Sequence, residues 1–162
     1  MPDATLHLMC GKIAAGKSTL SAKLSAQQGT ITIAEDHWLK RLYPGEINTI
    51  ADYVRLAARL RETIAPHVED LLRTGLSIVL DFPANTVANR AWMRGIIDRS
   101  GARHVLHHLD VPDAVCRARL RTRNAAGEHD FAATDAEFDA VTAHFVPPTD
   151  AEGFIVEVHR PD

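Results

Sequence analysis

The chain has 162 residues, of which 46% are hydrophobic and 24% charged, with a formal net charge of −3 at pH 7. Those values describe an ordinary globular chain with one core, and they weakly disfavour a protein that lives on phosphate-backbone contacts, which usually carries a basic excess. No apolar run approaches the roughly 18–20 residues that span a bilayer, so no membrane partner is expected.

Thr5–Cys10 is β-prone and mostly apolar, as a buried central strand is. It runs directly into Gly11-Lys12-Ile13-Ala14-Ala15-Gly16-Lys17-Ser18, a complete G-x-x-x-x-G-K-S loop, and then into the helical run beginning at Thr19. Strand, glycine loop and helix in that order form a cradle for phosphate. Gly11 and Gly16 permit backbone geometry and close approaches that a Cβ blocks, and the helix N-terminus offers N–H groups to anionic oxygens. Gly11 to Thr19 is therefore the expected nucleotide-binding segment. Lys17 is expected on the β- and γ-phosphates and the Ser18 hydroxyl on Mg²⁺.

The helix ends near Gly29, and Thr30–Ala34 forms a second strand that delivers Glu35, Asp36, His37 and Trp38 at its C-terminal end. His37–Leu42 suggests a short helix, and Tyr43-Pro44-Gly45 a turn over the site. From Ile50 to Thr74, apolar residues recur at spacings of three and four, a long amphipathic helix with an expected break near Ala65 because Pro66 follows. Leu76–Asp81 is a third strand, Val87–Arg99 a helix stopped by Ser100-Gly101, and Val105–Asp110 a fourth strand. Pro112 opens a helix to about Asn124. Thr134-Asp135-Ala136-Glu137 resembles a helix start for Phe138, Val141 and Phe145, ended by Pro147-Pro148, and Phe154–Val158 is the last strand. The alternation implies a three-layer α/β domain on a parallel sheet, one unit over residues 1–162.

Asp81, closing an apolar strand, is the expected second metal ligand, a carboxylate beside the Ser18 hydroxyl. Asp36 ends the strand after the loop helix, where a carboxylate can take the proton of an attacking hydroxyl; its plainer role is a helix cap. Arg117, Arg119, Arg121 and Arg123 alternate along one helix. Arg119 and Arg123 share one face by the i,i+4 rule and Arg117 and Arg121 another, so only one pair can meet phosphates while the other meets solvent or carboxylates. With the polar stretch that follows, residues 112–133 read as a lid. Trp38 either lines an acceptor pocket or packs in the core, and Arg90 either reaches the site or sits on the surface. His104, His107 and His108 lack a ligand spacing along one strand, so no metal role is read into them, and His37 is expected in solvent near Asp36. Cys10 and Cys116 show no metal or redox spacing, which points to a reducing cytoplasm.

The loop, Asp36, the Asp81–Thr86 stretch, Arg90 with Trp92, Val111-Pro112 before the arginine helix, and Phe145–Thr149 together resemble the small P-loop kinases related to the kinase domain of polynucleotide kinase, zeta toxins and chloramphenicol phosphotransferase. That resemblance implies a five-stranded parallel sheet ordered 2-3-1-4-5, an arginine-bearing helical lid, and ATP with Mg²⁺ as donor. It also implies Asp36 as general base, with Lys17, Arg119 and Arg123 acting on the transferring phosphoryl group. The expected reaction is transfer of the γ-phosphate to a hydroxyl of a small molecule by a monomer or weak dimer. A nucleic-acid 5′-hydroxyl is a less favoured acceptor, because His37 and Trp38 follow Asp36 where polynucleotide kinases have an arginine. An ATP-hydrolysing protein without an acceptor is the other alternative. A GTPase is disfavoured, since Asp98-Arg99-Ser100-Gly101 falls at a helix end and no N-K-x-D signature occurs.

Overall fold

The computed structural model describes residues 4–126 and 134–161. Five strands, β1 (Thr5–Cys10), β2 (Thr30–Ala34), β3 (Ser77–Pro83), β4 (Arg103–Leu109) and β5 (Val156–His159), form one sheet in the order β2-β3-β1-β4-β5. All its pairings are parallel, as strand-helix-strand crossovers require. The order reverses at β1, so the loop after β1 opens at the switch point, outside the carboxyl ends of the strands, where such sheets bind ligands.

The helices are α1 (Lys17–Ser25), α2 (Glu35–Leu42), α3 (Ile50–Arg73), α4 (Val87–Ser100), α5 (Asp113–Ala126) and α6 (Asp135–Thr142). Leu6, Leu8, Ile78, Leu80 and Leu106 of the central strands pack with Leu39, Leu56, Leu60, Met93 and Ile96 of α2, α3 and α4 as the main core. Met9 and Val79 meet Leu24 of α1 in a second cluster. Burying a side chain of this size is worth about 1.5–3 kcal/mol, so these two clusters supply the bulk of what holds the sheet. A third cluster, Ala15, Leu109, Val111, Cys116, Leu120 and Phe138, ties the phosphate loop to α5 and α6.

Three local expectations are corrected. α3 runs as one 24-residue helix through Pro66 instead of breaking at Ala65. The exposed proline forfeits one backbone bond, while Ile64, Ala65 and Val68 are buried on either side of it and hold the helix to the core. Helix α6 stops at Thr142, leaving Phe145 beyond it; Phe145 instead packs against the main core, and the Val146 N–H donates to the Asn85 carbonyl (2.8 Å). Glu35 is helical, the first residue of α2, where Asp36 joins it in the acidic first turn. The expected lid falls partly outside the described residues: 112–126 are described, 127–133 are not.

Candidate functional site

The phosphate loop is shaped by its two glycines and by contacts from three elements. Gly16 has φ 107°, a left-handed conformation that suits glycine, and Ala14 takes φ 63°. Gly11 is buried, and a Cβ there would lie 3.2 Å from Leu109 Cβ and 3.3 Å from Ala15 Cβ. The Lys17 ammonium folds over the loop and donates to the carbonyls of Gly11 and Lys12, the latter at 3.1 Å. Asn85 clamps the loop from β3's far end: the Gly11 N–H donates to its Oδ1 and its Nδ2 donates to the Gly11 carbonyl, both at 2.9 Å. Lys12 pairs with Asp113 at the start of α5.

Three carboxylates gather at the C-terminal ends of β2 and β3. Asp81 is half-buried; burial raises its pKa, and the nearby Lys17 and His37 charges oppose that rise. Burial likewise depresses Lys17, against the attraction of Asp81 first and, more weakly, Asp36. Lys17 therefore feels both the expected metal carboxylate and the expected base. Asp36 is exposed on α2, whereas its neighbour Glu35 is buried. The Tyr53 hydroxyl donates to Glu35 Oε1, and Arg61 Nη2 stands 3.7 Å from Oε2. Burial pushes the Glu35 carboxyl up to about 7, opposed by the Tyr53 bond and Arg61 and assisted by the Asp36 and Asp81 charges. Adjacent carboxyls in unlike surroundings take unlike parts: Glu35 is a wall, and Asp36 faces solvent.

The arginines of α5 divide as i,i+4 spacing demands. Arg119 Nη1 donates to the Ala15 carbonyl of the phosphate loop (3.3 Å). Arg123, one turn on, is half-buried with an Nε that has no hydrogen-bond partner; burial lowers its pKa and the Asp36 charge raises it. Arg117 turns away, pairing with Asp139 and lying 4.8 Å over the Phe138 ring of α6. Arg121 is exposed.

Both readings of Arg90 are overturned. It is 1% exposed, neither on the surface nor at the phosphates. Its guanidinium donates to Glu152 (2.9 Å) and to the carbonyls of Ala84 (2.9 Å), Val146 (2.7 Å) and Pro147 (3.4 Å), stitching α4 to the segment before β5. Nothing in a lone arginine's sequence position announces such partners. Trp38 is 39% exposed on α2, which removes it from the core. Asn85 is the residue that residue-by-residue reading missed; its one signal was its place just past β3, the strand that carries the expected metal carboxylate Asp81.

The residues fit a nucleotide and its metal. Gly11 and Gly16 leave space that side chains would fill, and Lys17 supplies the cation above it. Ser18, exposed in the first turn of α1, and Asp81 are hard oxygen donors of the kind Mg²⁺ takes in ones and twos, completing its shell with water and phosphate. A cleft of about 120 Å³ opens beside the loop, between Ala15, Leu109, Val111 and Arg119 on one side and His159–Pro161 on the other.

No curated protein sequence matches the chain. Among solved structures, a protein of Chloroflexus aurantiacus provisionally named a kinase superposes with TM-score 0.76 at 18% identity, over 99% of this chain and 86% of that one. The APS kinase of Mycobacterium tuberculosis, solved with AMPPNP and APS, gives 0.66 at 17% identity over 100% and 91%. A Janibacter sugar kinase gives 0.65 at 14% identity over 98% and 86%. At such identities the likeness is one of fold, and it is the fold of small P-loop kinases with the strand order seen here. The profile of a family described as an AAA domain matches residues 6–148, from the first strand through the segment that Arg90 binds. The chain belongs to that AAA domain family, built on the P-loop nucleotide-binding fold of the small kinases.

Proposed function

We propose that the protein is a phosphotransferase that moves the γ-phosphoryl group of Mg²⁺–ATP to a hydroxyl of a small molecule. The observation that supports this is that Asp36, exposed at the start of α2 beyond the end of β2, exerts its charge on both Lys17 of the phosphate loop and Arg123 of α5. A hydrolase needs the donor half alone; the exposed Asp36 carboxylate supports reading an acceptor half beside it. Lys17 and the loop hold the β- and γ-phosphates, and Ser18 and Asp81 hold the metal. Mg²⁺, when bound, neutralises charge on the phosphate oxygens. Asp36 takes the hydroxyl proton as the new O–P bond forms and the bond to the β-phosphate oxygen breaks. Arg119 and Arg123 stabilise the charge spread over the transferring oxygens, as planar donors do. The lid reading of 112–133 belongs with this: closure of α5 over the loop would exclude water and favour transfer over hydrolysis. That the APS kinase of like fold was solved with AMPPNP and APS together supports a two-substrate site.

The test is a phosphorus NMR screen of alcohols, sugars, nucleosides and 5′-hydroxyl oligonucleotides with ATP and Mg²⁺. A phosphomonoester should appear on one small-molecule class, be lost in Lys17→Ala, and fall by about 10²- to 10⁴-fold in Asp36→Asn, the usual worth of a general base. Free phosphate alone across the whole screen, or full transfer by Asp36→Asn, would sink the proposal.

A further inference from the structure

Across β1, β4 and β5, three imidazoles from three neighbouring strands meet in series. His7 Nδ1 of β1 lies 3.0 Å from His107 Nε2 of β4, and His107 Nδ1 lies 3.0 Å from His159 Nε2 of β5. Both ring pairs stand 5.2 Å apart between centroids. Glu157, two residues before His159, points to the same side of the strand, and its Oε1 is 3.7 Å from His159 Nε2. One atom each from His107, Glu157 and His159 lies within 4.8 Å of the others.

We propose that His107, Glu157 and His159 form a site for one zinc-class divalent cation, with the fourth position open to solvent and His7 as a positioning residue. Zinc bonds of about 2.0–2.1 Å at tetrahedral angles separate ligand atoms by about 3.3 Å. The separations of 3.0 Å and 3.7 Å lie on either side of that value, so small side-chain adjustments suffice. Two imidazoles and a carboxylate form a mixed nitrogen and oxygen donor set, which selects zinc and its neighbours over Mg²⁺. This separates the site in chemistry from Ser18 and Asp81. His107 is 3% exposed, so its ring is held in place by the strands on either side of it. With Nδ1 on the metal, Nε2 of His107 carries the proton and donates to His7 Nδ1, the outer bond that fixes the tautomer of a metal-bound histidine. The open position follows from exposure: the side chains of His159 and Glu157 are 31% and 60% exposed.

The role of such an ion is to fasten an edge. β5 has four residues and, among the described residues, stands at the edge of the sheet beside β4, yet it supplies two of the three ligands while β4 supplies the third. Spacing along a single strand hides this arrangement, because the ligands come from two strands brought side by side.

The experiment uses the full chain, stripped with a chelator and then titrated with Co²⁺ in excess Mg²⁺, which keeps the oxygen-donor site occupied. The visible absorption should show one tetrahedral Co²⁺ per chain, displaced by one equivalent of Zn²⁺. Glu157→Gln and His159→Ala should each weaken binding at least tenfold, and His7→Gln by about 10–100-fold through the outer shell. His67→Ala, exposed on α3, should leave it unchanged. The exposed Glu157→Gln variant keeps the test independent of folding, and far-UV circular dichroism checks each protein. Absence of a tetrahedral spectrum, or the same affinity in Glu157→Gln and His159→Ala as in wild type, would overturn the site.

Discussion

Glu35→Gln isolates the buried carboxyl next to Asp36. Burial lifts Glu35 from its ordinary 4.5 to about 7, so the folded protein keeps this proton over a range in which the unfolded chain has released it. Between those values the folded state binds more protons, and stability falls as pH rises. The contribution is whole below about 4.5 and is lost as pH passes 7. At about 1.4 kcal/mol per unit between the two values, the loss comes to about 3 kcal/mol. His107 works in the opposite sense: held down to about 4, it makes the folded state more stable as pH climbs towards 6.5. The raw stability curve of the wild type therefore mixes both. Glutamine keeps an oxygen to accept from Tyr53 but carries no proton to lose, and His107 is common to both proteins, so their difference reports Glu35. Urea unfolding from pH 5 to pH 8, without nucleotide or Mg²⁺, should show the wild type losing about 2–3 kcal/mol relative to Glu35→Gln, reckoned from the same linkage. A difference that stays level across that range would refute the reading of Glu35 as a carboxyl kept protonated by burial.

Three further outcomes follow from the site geometry. Arg119→Ala or Arg123→Ala should lower kcat for phosphoryl transfer by about 10²- to 10³-fold, as loss of a transition-state donor does, while Arg121→Ala stays near wild type by steady-state assay. Asn85→Ala removes both bonds to Gly11 and should cost about 1–3 kcal/mol of stability in urea, with weaker nucleotide binding by calorimetry. Arg90→Ala, which strands Glu152 and three carbonyls, should lose about 3–5 kcal/mol by thermal or urea unfolding.

Most of the fold was legible because strands and helices alternate with clean periodicities, and β1 and β2 coincide with their expected bounds. The phosphate loop was legible because its chemistry is written in contiguous residues. The misses share a cause. Pro66 reads as a breaker locally, but buried neighbours on the same helix outweigh one missing backbone bond. Arg90 and Asn85 act through partners that adjoin them only after folding: Asn85 reaches back 74 positions to Gly11, and Arg90 forward 62 to Glu152. The grouping of His107 with Glu157 and His159 was hidden in the same way, since a search along one strand cannot see the next. The i,i+4 division of the arginines was legible because it depends on helix geometry alone.

The buried guanidinium of Arg90 has a consequence for how the chain folds as it is made. Its partners arrive late: the carbonyls of Val146 and Pro147 lie 56 and 57 positions downstream, and Glu152 lies 62 downstream. A nascent chain that has emerged only through α4 holds a charge destined for the interior with no anion to meet it. Closing the core at that stage would bury an unpaired cation, at a cost of several kcal/mol. The half-made protein is thereby discouraged from settling early, and consolidation waits until the segment before β5 reaches the arginine.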